Sequence, residues 1–197
     1  MKNIVIGLDL DNTLVDYSMS VKKYSREYLE KELEDIDEIR DFFRESRNDL
    51  GWQKAQSWIY TSGMKYASVT PGTREMFAEF SRLGLPFFAI SHKTSRTPME
   101  SGFLDLRGPA EHWIHENLEP IGLERSMIFF ESSRQAKIRR IMALELSHFV
   151  DDLLEVLTDE SFPSNIKRYL YDPYHKNHKW IQNVEVISRL DQICKLL

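Results

Sequence analysis

Cysteine is almost missing from this chain of 197 residues: Cys194 stands alone. No internal disulfide can form, which fits a reducing compartment. Long apolar runs are also lacking, and no stretch approaches the roughly 20 residues that a membrane-spanning helix needs. Basic residues do not dominate: 26 Lys and Arg face 31 Asp and Glu, for a formal net charge of −5. That balance argues against a general surface for nucleic-acid polymers or anionic membranes. No internal repeat or low-complexity tract occurs, which excludes solenoids and disordered arrays. Met1-Lys2-Asn3 leads straight into a five-residue apolar run, too short for the apolar region of an export signal, so a cytoplasmic location is expected.

What is present is globular. Hydrophobic residues make up 42% and aromatics 12%, and the length suits one domain with a small insertion. Five short apolar runs read as buried strands: Ile4–Leu8, Pro86–Ile90, Met127–Phe130, His148–Val150 and Arg168–Tyr171. Helical periodicity fills the intervals. The expected fold is therefore α/β, a Rossmann-like, mostly parallel sheet with helices on both faces. Near the C-terminus, Ile187, Leu190, Ile193, Cys194 and Leu197 recur at helical spacing, which places Cys194 in the core and not among nucleophiles.

One interval is too long for a simple crossover. Between Asp11 and the second strand lie about seventy residues, where a dozen or so suffice. Thr70-Pro71-Gly72-Thr73 opens the true crossover helix, Arg74–Leu83, and Gly84 closes it. Residues 17–68 are then a helical insertion, with 1–16 and 69–197 forming the core. Within it Leu29, Leu33, Ile36, Ile39 and Phe43 follow one helical face, of one helix or of two in line, and the remaining charges read mostly as a solvated face. Trp52, Trp58 and Tyr60 with Gln53 and Gln56 form an aromatic, polar-tipped cluster, either core or a ligand platform.

The chemistry concentrates where the first strand stops, at Asp9-Leu10-Asp11-Asn12-Thr13-Leu14. Two aspartates at i, i+2 share a face if the strand continues, and their mutual repulsion calls for a cation or for donors. Mg²⁺ is the natural choice, a hard ion held by one or two carboxylates and by phosphate oxygens. The alternative is a helix N-cap in which Asp11 or Thr13 meets backbone N–H groups. In parallel sheets ligands bind beyond the carboxyl ends of the strands. That edge would gather Asp9, Ser91 and the pair Asp151-Asp152.

These elements, in this order, resemble the haloacid dehalogenase superfamily of Asp-dependent phosphohydrolases over nearly the whole chain. Asp9-Leu-Asp11-Asn-Thr13-Leu14 matches the first motif and Phe87-Phe-Ala-Ile-Ser91 the second. Lys137, in Ser133-Arg134-Gln-Ala-Lys137, matches the third, and Phe149-Val-Asp151-Asp152 the fourth. The resemblance implies that Asp9 is the nucleophile and that Asp11 is first acid and then base, positioned by Thr13. It further implies that Ser91 and Lys137 bind the phosphoryl group. Mg²⁺ would be held by Asp9, the main-chain carbonyl of Asp11, and Asp152, with Asp151 a ligand through water or an outer partner. It also implies that the insertion caps the site and that the substrate is a small phosphorylated metabolite. Arg134 is the rival of Lys137, which could instead be an exposed helix lysine, and Glu155 is a weaker acidic candidate.

Other residues are read from the chain itself. Asn12 replaces the Gly frequent in the first motif and tolerates left-handed geometry. His92 and Lys93 are expected either to touch the substrate or to lie in a solvated turn, and Trp52 and Thr13 are candidate substrate contacts. The segment 97–109 is expected to wall the pocket before a helix at Ala110–Asn117. His112 and His115, like His175 and His178, stand at i, i+3 but lack the partners of a zinc site. The expected function is a Mg²⁺-dependent phosphohydrolase using an aspartyl-phosphate intermediate. A mutase-like phosphoryl transfer or a non-catalytic binding protein of the same fold is the alternative.

Overall fold

The computed structural model describes residues 4–93, 96–99, 102–176 and 180–197. At the centre of a six-stranded sheet lies β1 (Ile6–Leu8). The chain leaves it through β2 (Val15–Asp16) and returns through β3 (Ser68–Val69), which pair antiparallel. The crossover helix follows, and then β4 (Phe87–Ser91) lies parallel beside β1. A separate antiparallel pair, β5 (Arg96–Met99) and β6 (Gly102–Asp105), comes next. The main sheet resumes with β7 (Ile128–Phe130) outside β4. On the other side of β1 come β8 (His148–Asp151), β9 (Lys167–Tyr171) and β10 (Val184–Ile187), every neighbour parallel.

Each strand divides its side chains between two helical layers. Ile6, Leu8, Phe87, Ala89, Val150 and Tyr169 share a core with two helices that follow the insertion in the chain, α4 (Thr73–Leu83) and α5 (Arg107–Asn117). Ile90, Phe149 and Leu170 pack with α6 (Arg134–Ala143) and α7 (Leu154–Leu157). Gly7 faces this second layer, and a Cβ there would collide with Leu146 and lie 2.6 Å from the Phe149 ring. Here glycine marks a close approach between strand and core.

The insertion is helical, and its apolar side continues the first core. It comprises α1 (Ser18–Tyr24), a wider π turn at Ser25–Leu29, α2 (Ile36–Glu45) and α3 (Asp49–Ile59). Asp35 caps α2 by accepting from the N–H groups of Asp37 and Glu38, and Asn48 caps α3 by accepting from Gly51 at 2.9 Å. Val21, Ile39, Phe43, Ala55 and Ile59 are buried in the same cluster as Ile6 and Leu8.

Several expectations need correction. The stripe from Leu29 to Phe43 is interrupted: Leu29 ends the π turn, Glu30 is left-handed, and only Ile36, Ile39 and Phe43 lie on α2. The sheet has a sixth strand, β10, whose Glu185 and Val186 are exposed, so it lacks the continuous apolar signature. Ile187 ends that strand, and the residues beyond it make a 3₁₀ turn, Leu190–Lys195, in which Cys194 is only half-buried. The helix expected from Ala110 begins at Arg107, because Pro109 is tolerated in a first turn. Part of the segment 97–109 is the β5–β6 ribbon, and Glu100 and Ser101 fall outside the described residues.

Candidate active site

Asp9 follows β1, and its N–H still donates to the Val150 carbonyl at 2.8 Å, so the sheet fixes its backbone. The strand then stops. Asn12 adopts the left-handed region at φ 59°, as expected of Asn, and Leu14 and Val15 both donate to the Leu10 carbonyl. Asp9 and Asp11 are therefore not two rungs of one continuing strand: β1 ends at Leu8, and a turn opens directly after Asp11.

Each aspartate has its own lysine. Lys137, fully buried on the first turn of α6, donates to Asp9 Oδ1 and, at 2.6 Å, to Asp151 Oδ2. Ser133 caps that helix by accepting from Ala136, which sets the direction in which Lys137 projects. Lys93 is also buried, and its ammonium lies 2.7 Å from Asp11 Oδ1. Tyr17 donates to the same oxygen at 2.6 Å and Ser91 to Oδ2 at 3.2 Å. Lys93 is thus neither in a solvated turn nor free: it is the partner of Asp11. The Tyr60 ring lies 4.5 Å below its ammonium.

Charge follows from these contacts. Burial pushes the Asp9 carboxyl up to about 7 despite Lys137, and Asp151 and Asp11 add to the rise. Burial followed by the charges of Asp9 and Asp151 drives Asp152 well above the usual carboxylate range. Asp11 behaves oppositely: burial would raise it, but the Lys93 ammonium and the bonds from Lys93, Tyr17 and Ser91 hold it low. Burial opposes the charge on Lys137 too, yet Asp151 and Asp9 keep its pKa above the ordinary value. His92 is pushed toward the neutral imidazole by burial and by Lys137.

Four carboxylates, Asp9, Asp11, Asp151 and Asp152, meet two ammonium groups among the described residues. Oxygens of Asp9, Asp151 and Asp152 lie within 4.8 Å of one another. Two uncompensated negative charges on hard oxygen donors fit a divalent cation such as Mg²⁺. Asp151 spends one oxygen on Lys137 and the other on the Leu153 N–H, whereas Asp152 accepts a long 3.4 Å contact from Thr13 and a bond from its own backbone N–H. Asp152 is accordingly the freer ligand. Thr13 is fully buried, and its hydroxyl points to Asp152 and not to Asp11.

Above these groups is a cavity of 280 Å³ whose lining includes Asp9, Asp11, Asp152, His92 and Lys93. The insertion supplies its opposite wall with Arg40, Trp52, Gln56 and Tyr60. Trp52 therefore faces the cavity while Trp58, in the same expected cluster, packs among Tyr24, Tyr28 and Tyr66. Lys176, after β9, pairs with Asp35 at the start of α2 and ties the insertion to the core.

Tyr17 and Arg40 were not anticipated, whereas Tyr60 belongs to the expected aromatic cluster and lines the cavity. Arg40 sits among Asp37, Glu38, Asp41 and Arg44, a run that reads as a solvated face, and only the placement of α2 turns it inward. Arg134 pairs with Glu155 at 3.0 Å on the exposed surface, which removes both from the site. His112 and His115 face Glu116 and Glu119 along the exposed side of α5, and His178 lies outside the described residues. No helix among the described residues is long and apolar enough to cross a membrane.

No family model matches this sequence, and no curated protein matches it. Solved structures do. A haloacid dehalogenase (HAD) hydrolase of family IA, variant 3, from Entamoeba histolytica superposes with a TM-score of 0.59 at 10% identity, covering 98% of this chain and 99% of that one. A HAD family hydrolase from Deinococcus radiodurans, with bound phosphate and sodium, gives 0.59 at 13% identity over 94% and 92%. A phosphoserine phosphohydrolase-like protein from Francisella tularensis gives 0.59 at 14% identity over the full length of both chains. The chain has the HAD hydrolase fold.

Proposed function

We propose that this chain is a Mg²⁺-dependent phosphomonoesterase of the cytoplasm in which Asp9 is the nucleophile. The observation that carries the reading is the convergence of Asp9, Lys137, Asp151 and Asp152 from two strand ends and one helix start beneath a single cavity. Asp9 attacks phosphorus, the ester oxygen leaves, and an acyl phosphate forms that water then cleaves. Lys137 offsets charge on Asp9 and on the transferring group, and Ser91 donates to a phosphoryl oxygen. Mg²⁺, held by Asp9, the Asp11 carbonyl and Asp152 with Asp151 behind, would neutralise the approach of phosphate to a carboxylate.

Asp11 serves as acid and then base. As a carboxylate receiving three donated bonds it is set up for the second role. The first requires a donor to let go, and Lys93, which lines the cavity, does so when an anionic phosphate enters. The insertion, residues 17–68, acts as a cap that closes the cavity and excludes water. The fold neighbour described as phosphoserine phosphohydrolase-like supports a small phosphorylated substrate.

The test is hydrolysis of p-nitrophenyl phosphate with and without Mg²⁺, beside Asp9→Asn. Activity that requires Mg²⁺ and vanishes in the variant is expected, together with acid-stable labelling of Asp9 by a phosphate ester. Turnover that survives Asp9→Asn would overturn the nucleophile assignment.

A further inference from the structure

Three side chains of the insertion line the cavity with hydrogen-bonding capacity left unused. Arg40 gives Nη1 to Asp37 at 2.9 Å, but its Nε is buried without a hydrogen-bond partner, since Asp41 stands 3.6 Å away. Gln56 and Trp52, one turn apart on α3, present an amide and an indole N–H that meet no partner among the described residues. A buried polar group is ordinarily satisfied, so the idle Arg40 Nε, with the half-buried Gln56 amide and Trp52 indole on the same wall, indicates that something else completes them.

Charge selects what that is. On the cap wall Arg40 is already met by Asp37, and Lys93, on the core side, serves Asp11 and the transferring phosphate, so no spare cation is offered to a second phosphate or a carboxylate. Asp37 is itself shared between Arg40 and Lys176, the latter at 3.8 Å, and so is not a free anion for an ammonium. What remains is a donor at Arg40 Nε, a donor and acceptor at Gln56, and the flat face of Trp52. Hydroxyl groups both donate and accept, and the C–H face of a sugar packs on an aromatic ring.

We propose that the leaving group is uncharged and polyhydroxylated, so that the substrate is a monosaccharide or polyol monophosphate held by Arg40, Gln56 and Trp52. This rests on the phosphohydrolase reading above and names its substrate class. A cavity of 280 Å³ lies at the small end of ligand pockets, which begin at about 300 Å³, and suits a single sugar unit.

The experiment compares kcat/KM for glucose 6-phosphate and sorbitol 6-phosphate with that for n-hexyl phosphate, 3-phosphoglycerate and AMP. The hydroxylated esters should lead each of the others by at least about tenfold, the effect of one or two net hydrogen bonds. Gln56→Leu and Arg40→Met should each shrink the glucose-to-hexyl ratio by about tenfold. Because both esters are measured on the same variant, any loss of folded protein cancels. Turnover of the hexyl, carboxylate or nucleotide ester as fast as the sugar esters by the wild-type chain overturns the proposal. If no ester, p-nitrophenyl phosphate included, is hydrolysed with Mg²⁺, the phosphohydrolase reading fails instead. The ranking is then read by calorimetry on the wild-type chain, where equal affinity for the glucose and hexyl esters, or no binding of either, overturns the sugar proposal.

Discussion

Replacing Lys137 by Met keeps the stem and removes the charge that holds Asp9 and Asp151 together. Neither the lysine nor Asp151 has any exposed side-chain surface, so water cannot take over. A pair of unit charges 4 Å apart is worth about 4 kcal/mol at an effective dielectric of 20, and here one ammonium serves two carboxylates. Against that gain stands its own desolvation, several kcal/mol per buried ion. Breaking a buried pair by removing one partner typically costs about 3–5 kcal/mol. For a chain of this length each kcal/mol moves Tm by about 2–4 °C, so a fall of roughly 10 °C is expected.

The measurement is urea unfolding and thermal denaturation in the presence of a chelator, for wild type, Lys137→Met, Asp151→Asn and the double variant. Removing the carboxylate as well should recover part of the loss, with a coupling energy of about 1 kcal/mol or more. Added Mg²⁺ should raise Tm more in Lys137→Met than in wild type, since the variant holds one more uncompensated negative charge. A single variant within about 0.5 kcal/mol of wild type, with no coupling to Asp151, would refute the charge reasoning.

Lys93→Met should lower kcat far more than it raises KM, because Lys93 acts on Asp11; steady-state kinetics that show a pure KM effect would place it on the substrate instead. Gly7→Ala should destabilise the fold by about 1–3 kcal/mol in urea unfolding, because its methyl must displace Leu146 and the Phe149 ring. His148 is buried with Nε2 unpartnered, and burial followed by Lys167 pushes its pKa down to about 4 from 6.5. The folded state therefore resists a proton that the unfolded chain accepts, so stability present above pH 6.5 is lost as pH falls toward 4. His148→Gln should flatten that part of the stability profile, and an unchanged slope would show that the imidazole does not titrate between the two states. Protons compete with cations for Asp9 and Asp152, whose pKa values are raised, so the Tm increase on adding Mg²⁺ should be larger at pH 8 than at pH 5.5.

How far the sequence could be read follows from which surfaces each segment buries. The runs ending at Leu8, Ser91 and Asp151 are covered on both faces by helices and are mainly apolar up to their polar ends, so their type and order were plain. β10 pairs on one side only and buries Ile187 while exposing Glu185 and Val186, which erases the signal. The β5–β6 ribbon includes Pro98, which argues against a strand unless the strand is at an edge, as here. Asp9, Ser91, Lys137 and Asp151-Asp152 were legible because each stands at a strand end or a helix start, where a parallel sheet gathers polar groups.

Tyr17 and Arg40 were not legible, and Lys93 was legible as a site candidate but not as the partner of Asp11; the reason is common to all three. Each owes its role to the direction taken by a segment after it leaves the sheet or the insertion's hinge, and direction is set by packing distant in sequence. Seen along the chain, Asp9 and Asp11 are one crowded pair, and a single cation would satisfy both. In the folded molecule they belong to different circuits. Asp9 joins Lys137, Asp151 and Asp152 in a cluster that is short of positive charge, while Asp11 is fully supplied by Lys93, Tyr17 and Ser91. The same separation leaves one carboxyl raised and its neighbour lowered, the arrangement that lets two like groups take unlike tasks. A motif alone could not show this, because the lysine that keeps the two aspartates distinct lies 82 residues beyond Asp11 and reaches it only through the folded sheet.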